Sequence, residues 1–315
     1  MQANNNFDYY AGILCFNPLD DPYHLERIDN CIESIAKSAN FTKKRVKIVI
    51  ATNDTLVKTN ENELNGVGPE TKMLISQKSK KYNIDLISYG KPNINSCSRA
   101  YSFLTEYGKE NTDAKKIVIF ADDYIMPYFW FDIMDINFKN NNASFITPAT
   151  SFVAQENLKI DINFHPDWDV RIAEKGDHKK IKTKTIYSGV KIEHIDDIAK
   201  TMIKDGVSPW SFPPSFETTV FKRELLEEVG PIHDEYFSCF YDNDYFRMIA
   251  EKNFKGLIAK NCFIFHYGKG GTKALYKETA DEKFKESPVE HQLISDVNTW
   301  NRRWSENVKP WWGKK

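Results

Sequence analysis

The chain has 315 residues, 41% hydrophobic and 28% charged, with a formal net charge of -1, enough for one large α/β domain or two modest ones around a sizeable core. That balance carries no basic footprint for DNA or RNA, and five scattered cysteines (Cys15, Cys31, Cys97, Cys239 and Cys262) without a CxxC pair argue against a disulfide framework and a structural zinc site. No run of ~18 apolar residues is present, and the polar stretch Met1 to Asp8 lacks a signal-peptide core, so the expected location is cytoplasmic, at most peripheral at a membrane.

Tyr10 to Phe16 reads as a buried strand closed by Asn17-Pro18. Tyr23 to Ala39 has helical spacing, with Leu25, Ile28, Ile32 and Ile35 on one face. The β-branched run Val46 to Ala51 predicts a central parallel strand ending at Asn53-Asp54. A helix over Pro69 to Tyr82, a strand over Ile84 to Tyr89 and a helix over Ser98 to Tyr107 come next. Lys116 to Phe120 is the third strong strand and runs directly into Ala121-Asp122-Asp123. This alternation predicts a mostly parallel sheet flanked by helices, with the three polar turns converging where such sheets bind ligands, at the carboxyl ends of the strands.

Beyond Pro127 the pattern is less regular. Ser144 to Pro148 reads as a strand, and Ser151 to Pro214 holds His165, Trp168, Asp169 and a basic run, Lys179 to Lys184. A second organised block starts at Phe216, passes through Phe237 to Arg247 and a helix to about Asn253, then a strand at Gly256 to Ala259, and closes with Cys262 to Gly271. In the tail, Trp300 and Trp304 are one helical turn apart, which predicts a C-terminal helix packed on the body. Trp210, Phe212 and Phe216 suit loop packing somewhat better than a sugar platform.

Three features carry chemistry. Asp122-Asp123 lie directly after a buried strand, where an unpaired carboxylate is costly and calls for a cation or open solvent. Asp242-Asn243-Asp244 open a helix, where Asp is also an ordinary cap. His266 ends an apolar run. Taken in order, they resemble a family 2 type glycosyltransferase of the GT-A fold. The resemblance rests on Ile119 to Asp123 with Pro127 behind it, on Val220 to Asp244 (VFKRELLEEVGPIHDEYFSCFYDND), on Phe263 to Gly268, and on Phe16-Asn17 and Asn53-Asp54-Thr55. It covers roughly residues 10 to 270, with a divergent middle.

The resemblance implies an α/β GT-A fold with a helical C-terminal tail: residues 1–148 as the donor-binding half, 149–271 as the acceptor and catalytic half, and 272–315 as the tail. It implies that Asp123 and His266 bind Mn²⁺ or Mg²⁺, and that Phe16, Asn17, Asn53, Asp54 and Asp122 contact the nucleotide of a UDP- or GDP-sugar. Asp242 matches the general base of inverting members. Because the helix is slightly offset, Asp244 is an alternative. Ala121 departs from the first DxD position, and Tyr241 replaces a common Glu. The acceptor, a glycan, a lipid-linked glycan or a protein, stays open.

Transfer chemistry needs these parts. A divalent ion neutralises the departing diphosphate, and a carboxylate takes the acceptor proton. Glycosidases instead pair two carboxylates as acid and base. Two other readings share the layout. A sugar nucleotidyltransferase would carry a Gly-rich basic loop after the first strand, where this chain has Asn17-Pro18-Leu19-Asp20-Asp21. A degenerate, non-catalytic glycan-binding or assembly protein would accommodate Ala121.

Overall fold

A computed structural model describes residues 6–18, 20–52, 56–58, 63–88, 97–151, 169–173, 184–210, 215–237, 240–267 and 288–308. The first half runs β1 (Tyr9–Cys15), α1 (Pro22–Thr42), β2 (Val46–Thr52), β3 (Leu56–Lys58), β4 (Glu63–Asn65), α2 (Pro69–Tyr82), β5 (Asp85–Ser88), α3 (Cys97–Asn111), β6 (Lys116–Ala121), β7 (Tyr124–Ile125), α4 (Trp130–Asn141) and β8 (Phe145–Thr150). The second half runs β9 (Asp169–Ala173), β10 (Lys184–Ser188), α5 (Ile192–Met202), β11 (Val207–Pro209), β12 (Val220–Lys222), α6 (Arg223–Val229), α7 (Tyr241–Glu251), β13 (Gly256–His266) and α8 (Pro288–Trp304).

One sheet, in the order β11-β13-β8-β12-β6-β1-β2-β5, organises the molecule, and β7 adds to the far end of β13. The strands β5, β2, β1 and β6 are parallel, as the near-continuous apolar runs of β2, β1 and β6 suggest. Between β6 and β8 lies β12, antiparallel to both, while β8 and β13 are again parallel to each other. The carboxyl ends of β1, β2, β6, β8 and β13 therefore share one edge with the amino end of β12. This last strand is only three residues long and is embedded in the block that the sequence shows as one motif.

Helix α1 begins where Asp21 Oδ1 accepts the Tyr23 N–H at 2.9 Å, with Pro22 in the first turn. Its buried face includes Ile28, Cys31, Ile32 and Ile35, but also His24 and Arg27. Each fully buried isoleucine contributes at most about 2 kcal/mol. Asp20 caps α2 from a distance: its carboxylate accepts the N–H groups of Glu70 and Thr71 at 3.1 and 2.9 Å. The acidic turn after β1 thus terminates two helices.

Several motif residues turn out to be architectural. The Arg223 guanidinium donates to the carbonyls of Ala114, Lys109 and Thr112 at 2.8, 2.8 and 2.7 Å, closing the end of α3 and the turn after it. Gly230 stops α6 at φ +90°, and its carbonyl accepts the Tyr245 hydroxyl at 3.1 Å. The segments expected as separate strands, Gly256 to Ala259 and the apolar run from Cys262, form the single strand β13, with a register shift between Ala259 and Phe263. The strand bends there without breaking.

Trp210 and Phe216 take the packing role. Trp210 meets Phe145 and Phe246, and Phe216 lies in the same buried cluster. The Phe145 ring also covers Gly256, where an added Cβ would fall 1.9 Å from Cζ. Hemmed in by Phe221 and Phe246, that ring cannot move aside. Gly256→Ala is therefore expected to cost about 2 kcal/mol or more, read as a drop in the denaturation midpoint at unchanged m-value.

Helix α8 packs as the tryptophan spacing predicts. Trp300 is buried and contacts Phe240 and Trp304, while the Arg247 guanidinium lies 4.0 Å from the Trp304 ring centroid. Trp311 and Trp312 lie outside the described residues, as do His165 and Trp168. Cys15, Cys31 and Cys262 are buried free thiols. Among the described residues, no helix is long and apolar enough to cross a membrane.

Candidate active site

The sheet edge brings Asp123, His266 and Glu217 together, and Asp242 at the start of α7 lies within electrostatic reach of Glu217. Asp123 sits in the two-residue turn between β6 and β7. Its Oδ1 is buried, lies 3.3 Å from His266 Nε2, and has no hydrogen-bond partner. The main chain locks the turn: Asp123 O accepts the Tyr267 N–H at 3.0 Å. His266, the last residue of β13, is fixed twice. Its N–H donates to Ser151 Oγ at 2.8 Å, and its ring stacks on Tyr124 at 4.1 Å and 17°.

Burial disfavours the Asp123 carboxylate, but His266 more than offsets this, helped by His24 and Arg27. The group is held below the usual carboxylate range and is an anion at neutral pH.

Asp122 points the other way. Its Oδ2 accepts the Phe16 N–H at 2.8 Å, and its Oδ1 lies 3.1 Å from His24 Nε2. Both oxygens are engaged, tying the end of β6 to the end of β1 and to α1. Burial of His24 disfavours its cation, but Asp122 reverses that and raises it above the usual histidine range. Asn17 is fully buried and shapes the same turn: Nδ2 donates to Thr71 Oγ1 at 3.1 Å, and Oδ1 accepts the Asp21 N–H at 3.1 Å. Phe16 is half-buried between them. Asn53 and Asp54 lie outside the described residues, directly after Thr52, whose register partner is Cys15.

The two helix-start acids separate. Asp242, half-buried, opens α7, and its Oδ1 accepts the Asn243 N–H at 2.8 Å. Burial lifts it to about 6, against the Asn243 N–H and with the charge of Glu217 adding to the lift. Asp244 is fully buried and faces α8: its Oδ1 accepts from Arg303 Nε and Trp304 Nε1 at 2.7 Å each, and from the Tyr236 hydroxyl at 3.1 Å. It is a clamp for the C-terminal helix and stands apart from the Asp123 cluster.

Glu217 had no part in the sequence reading. Its Oε1 accepts the Tyr101 hydroxyl at 2.5 Å and its Oε2 the Tyr124 hydroxyl at 2.9 Å. Burial pushes this carboxyl up and outweighs the opposing pull of His266 and the two hydroxyls. Asp123 adds to the push, so the group lies above the usual range. Thr218, next in the chain, has φ +66°, a costly conformation for a β-branched residue and a mark of local constraint.

His24 and Arg27 also escaped the sequence reading, although polar residues on an apolar helix face were the available signal. Arg27 is buried with its guanidinium 5.0 Å from the Tyr267 ring centroid.

Asp123 Oδ1 and His266 Nε2 form a donor pair of the right type for Mn²⁺ or Mg²⁺, and a buried carboxylate oxygen without a hydrogen-bond partner is the kind of atom such an ion satisfies. Among the described residues, no group of three or more His, Cys, Asp or Glu side chains could hold an ion. A small hard ion suits such a sparse set when phosphate oxygens and water complete its shell.

The fold has counterparts among solved structures. Residues 1–349 of S. aureus TarS in complex with UDP-GlcNAc match with TM-score 0.51 and 10% identity, over 95% of this chain and 73% of that one. A second structure of S. aureus TarS matches with TM-score 0.49 and 10% identity over 95% of this chain and 44% of that one. Residues 1–349 of S. aureus TarS in complex with UDP match with TM-score 0.48 and 10% identity over 95% and 72%. The first of these likenesses shows the fold, a mixed α/β sheet flanked by helices of the GT-A type. No family profile matches the sequence, and no curated protein matches it.

Proposed function

We propose that this protein is a family 2 type glycosyltransferase that moves a sugar from a nucleoside-diphosphate sugar to an acceptor hydroxyl with inversion. The observation that carries the reading is the buried Asp123–His266 pair at the carboxyl-end edge of a GT-A type sheet, linked through Glu217 to Asp242 at the start of α7. Residues 1–148 form the donor half and 149–271 the acceptor half in this reading, with a cytoplasmic location.

Asp123 and His266 would hold Mn²⁺ or Mg²⁺, which when bound neutralises charge on the leaving diphosphate. The anionic state of Asp123 suits that role. Phe16, on a turn shaped by Asn17 and Asp122, would contact the nucleoside, and the resemblance gives Asn53 and Asp54 the same role. Asp242 receives the acceptor proton as the acceptor oxygen bonds to the anomeric carbon and the bond to the diphosphate oxygen breaks. A carboxyl at about 6 is a stronger base than an ordinary aspartate and is still ionised at neutral pH. UDP-sugars are the first donors to test, because the neighbour with the same fold is described with UDP-GlcNAc bound.

Thermal shift with UDP and with GDP, each with Mn²⁺ and with EDTA, tests the donor site. A nucleotide at a hundred times its Kd stabilises the native state by about 2.7 kcal/mol. The expected result is a metal-dependent shift for one nucleotide that Asp123→Ala removes. No shift at millimolar ligand would overturn the active-transferase reading in favour of a non-catalytic GT-A protein.

The same assignment fixes a pH dependence. Asp242 must be deprotonated to act, so kcat/KM is expected to rise tenfold per pH unit below about 6 and level off above it. A profile flat from pH 5 to 8 would remove Asp242 from the base role.

A further inference from the structure

Glu217 belongs to neither the donor pair nor the proposed base, yet it touches the supports of both. Through Oε2 it holds the Tyr124 hydroxyl, and Tyr124 is the platform on which the His266 ring lies at 4.1 Å. Through Oε1 it holds the Tyr101 hydroxyl, and Tyr101 stacks on Tyr241 at 5.5 Å and 26°. Tyr241 is the first residue of α7, and Asp242 is the second. The two tyrosines that reach Glu217 are deeply buried, so neither hydroxyl has an easy alternative in water.

Glu217 reaches this spot because β12 is antiparallel to β6 and β8, so its leading residues enter at the edge its neighbours leave. The Thr218 N–H donates to Ile119 O at 2.9 Å and pins the strained backbone there.

We propose that Glu217 is the positioning residue of the site: one carboxylate, acting through Tyr124 and Tyr101, sets the His266 ring against Asp123 and seats the turn that carries Asp242. The inference rests on the transferase reading for its meaning in catalysis. Glu217 also acts by charge. The groups around it are Tyr101 from α3, Asp123 from the β6–β7 turn, Tyr124 from β7, His266 from β13 and Asp242 from α7. Asp242 in turn feels Glu217 and the Asn243 N–H.

The experiment compares Glu217→Gln, Tyr124→Phe and Tyr101→Phe with wild type in two ways. The first needs no substrate: NMR of the free protein, as a titration of the Asp242 carboxyl and as the His266 ring signals at fixed pH. Glu217→Gln should lower the Asp242 midpoint by about one pH unit, since a neighbouring like charge is removed, and Tyr124→Phe should move the His266 ring signals. The second is a split in function. Tyr124→Phe should weaken metal-dependent nucleotide binding about tenfold and Tyr101→Phe should lower kcat with nucleotide binding unchanged, while Glu217→Gln should do both.

The proposal is overturned if the Asp242 midpoint and the His266 signals stay in place, or if all three variants only lower Tm without this split. Should wild type bind no nucleotide while the titration shifts still appear, the transferase reading fails and the positioning role stands.

Discussion

Asp242→Asn is expected to lower transfer by 10²- to 10⁴-fold and at the same time to make the protein harder to unfold. The gain comes from the direction of the shift. An aspartate unfolds to a pKa of about 4 but is held at about 6 in the folded chain. The native state therefore binds that proton more tightly, and stability falls as pH rises through this window. Above it the ionised side chain costs up to roughly 3 kcal/mol, less whatever solvent at the half-buried position screens. Asn abolishes that cost and can still accept the Asn243 N–H. Calorimetry at pH 7.5 should show Tm raised by a few degrees, with no gain at pH 4, where the native aspartate is protonated. An active, unstabilised variant would place the base elsewhere.

Arg303→Met is expected to have the largest effect on stability. Asp244 is fully buried, and Arg303 is the cation on it. Removing one partner of a buried pair leaves the other charge uncompensated, at about 3–5 kcal/mol. The Trp304 and Tyr236 donors remain, which favours the lower end. For a chain of 315 residues that is roughly 5 °C in Tm. Asp244→Asn alone should cost less, because the partly exposed Arg303 can turn to water. Adding Asp244→Asn to Arg303→Met should restore part of the loss, giving a coupling of more than 1 kcal/mol in a double-mutant cycle. Additive effects would mean that α8 does not dock through this pair.

Much of the frame was legible in the sequence because parallel strands announce themselves. Val46 to Ala51 and Lys116 to Phe120 are continuous β-branched or apolar runs, and each lies within a described strand. Pro69 and Tyr82 bound α2 as expected, since proline suits a first helical turn.

Glu217 could not be found in this way. Motifs at strand ends are sought just after a strand's last residue, whereas Glu217 precedes a strand that runs backwards and has only three residues. The roles of Asp242 and Asp244 were equally closed to inspection. They are two positions apart on one helix, so they face different neighbours, and only the arrival of Arg303 and Trp304 from 59 and 60 residues downstream decides which of them is covered. The acidic turn Asp20-Asp21, which in the sequence only argues against a Gly-rich basic phosphate loop, caps the amino ends of α1 and α2.

The clamp on Asp244 also sets an order of events during synthesis. Nascent chains settle from the amino end, so the sheet can form while α8 is still to come. Until Arg303 and Trp304 emerge, α7 carries a carboxylate that cannot be buried without its counter-charge, and the turn bearing Asp242 has nothing to lean on. The sugar-transfer centre proposed here is thus withheld until α8 has emerged, some 60 residues after Asp244, and a chain stopped before α8 would have a formed sheet without a seated base.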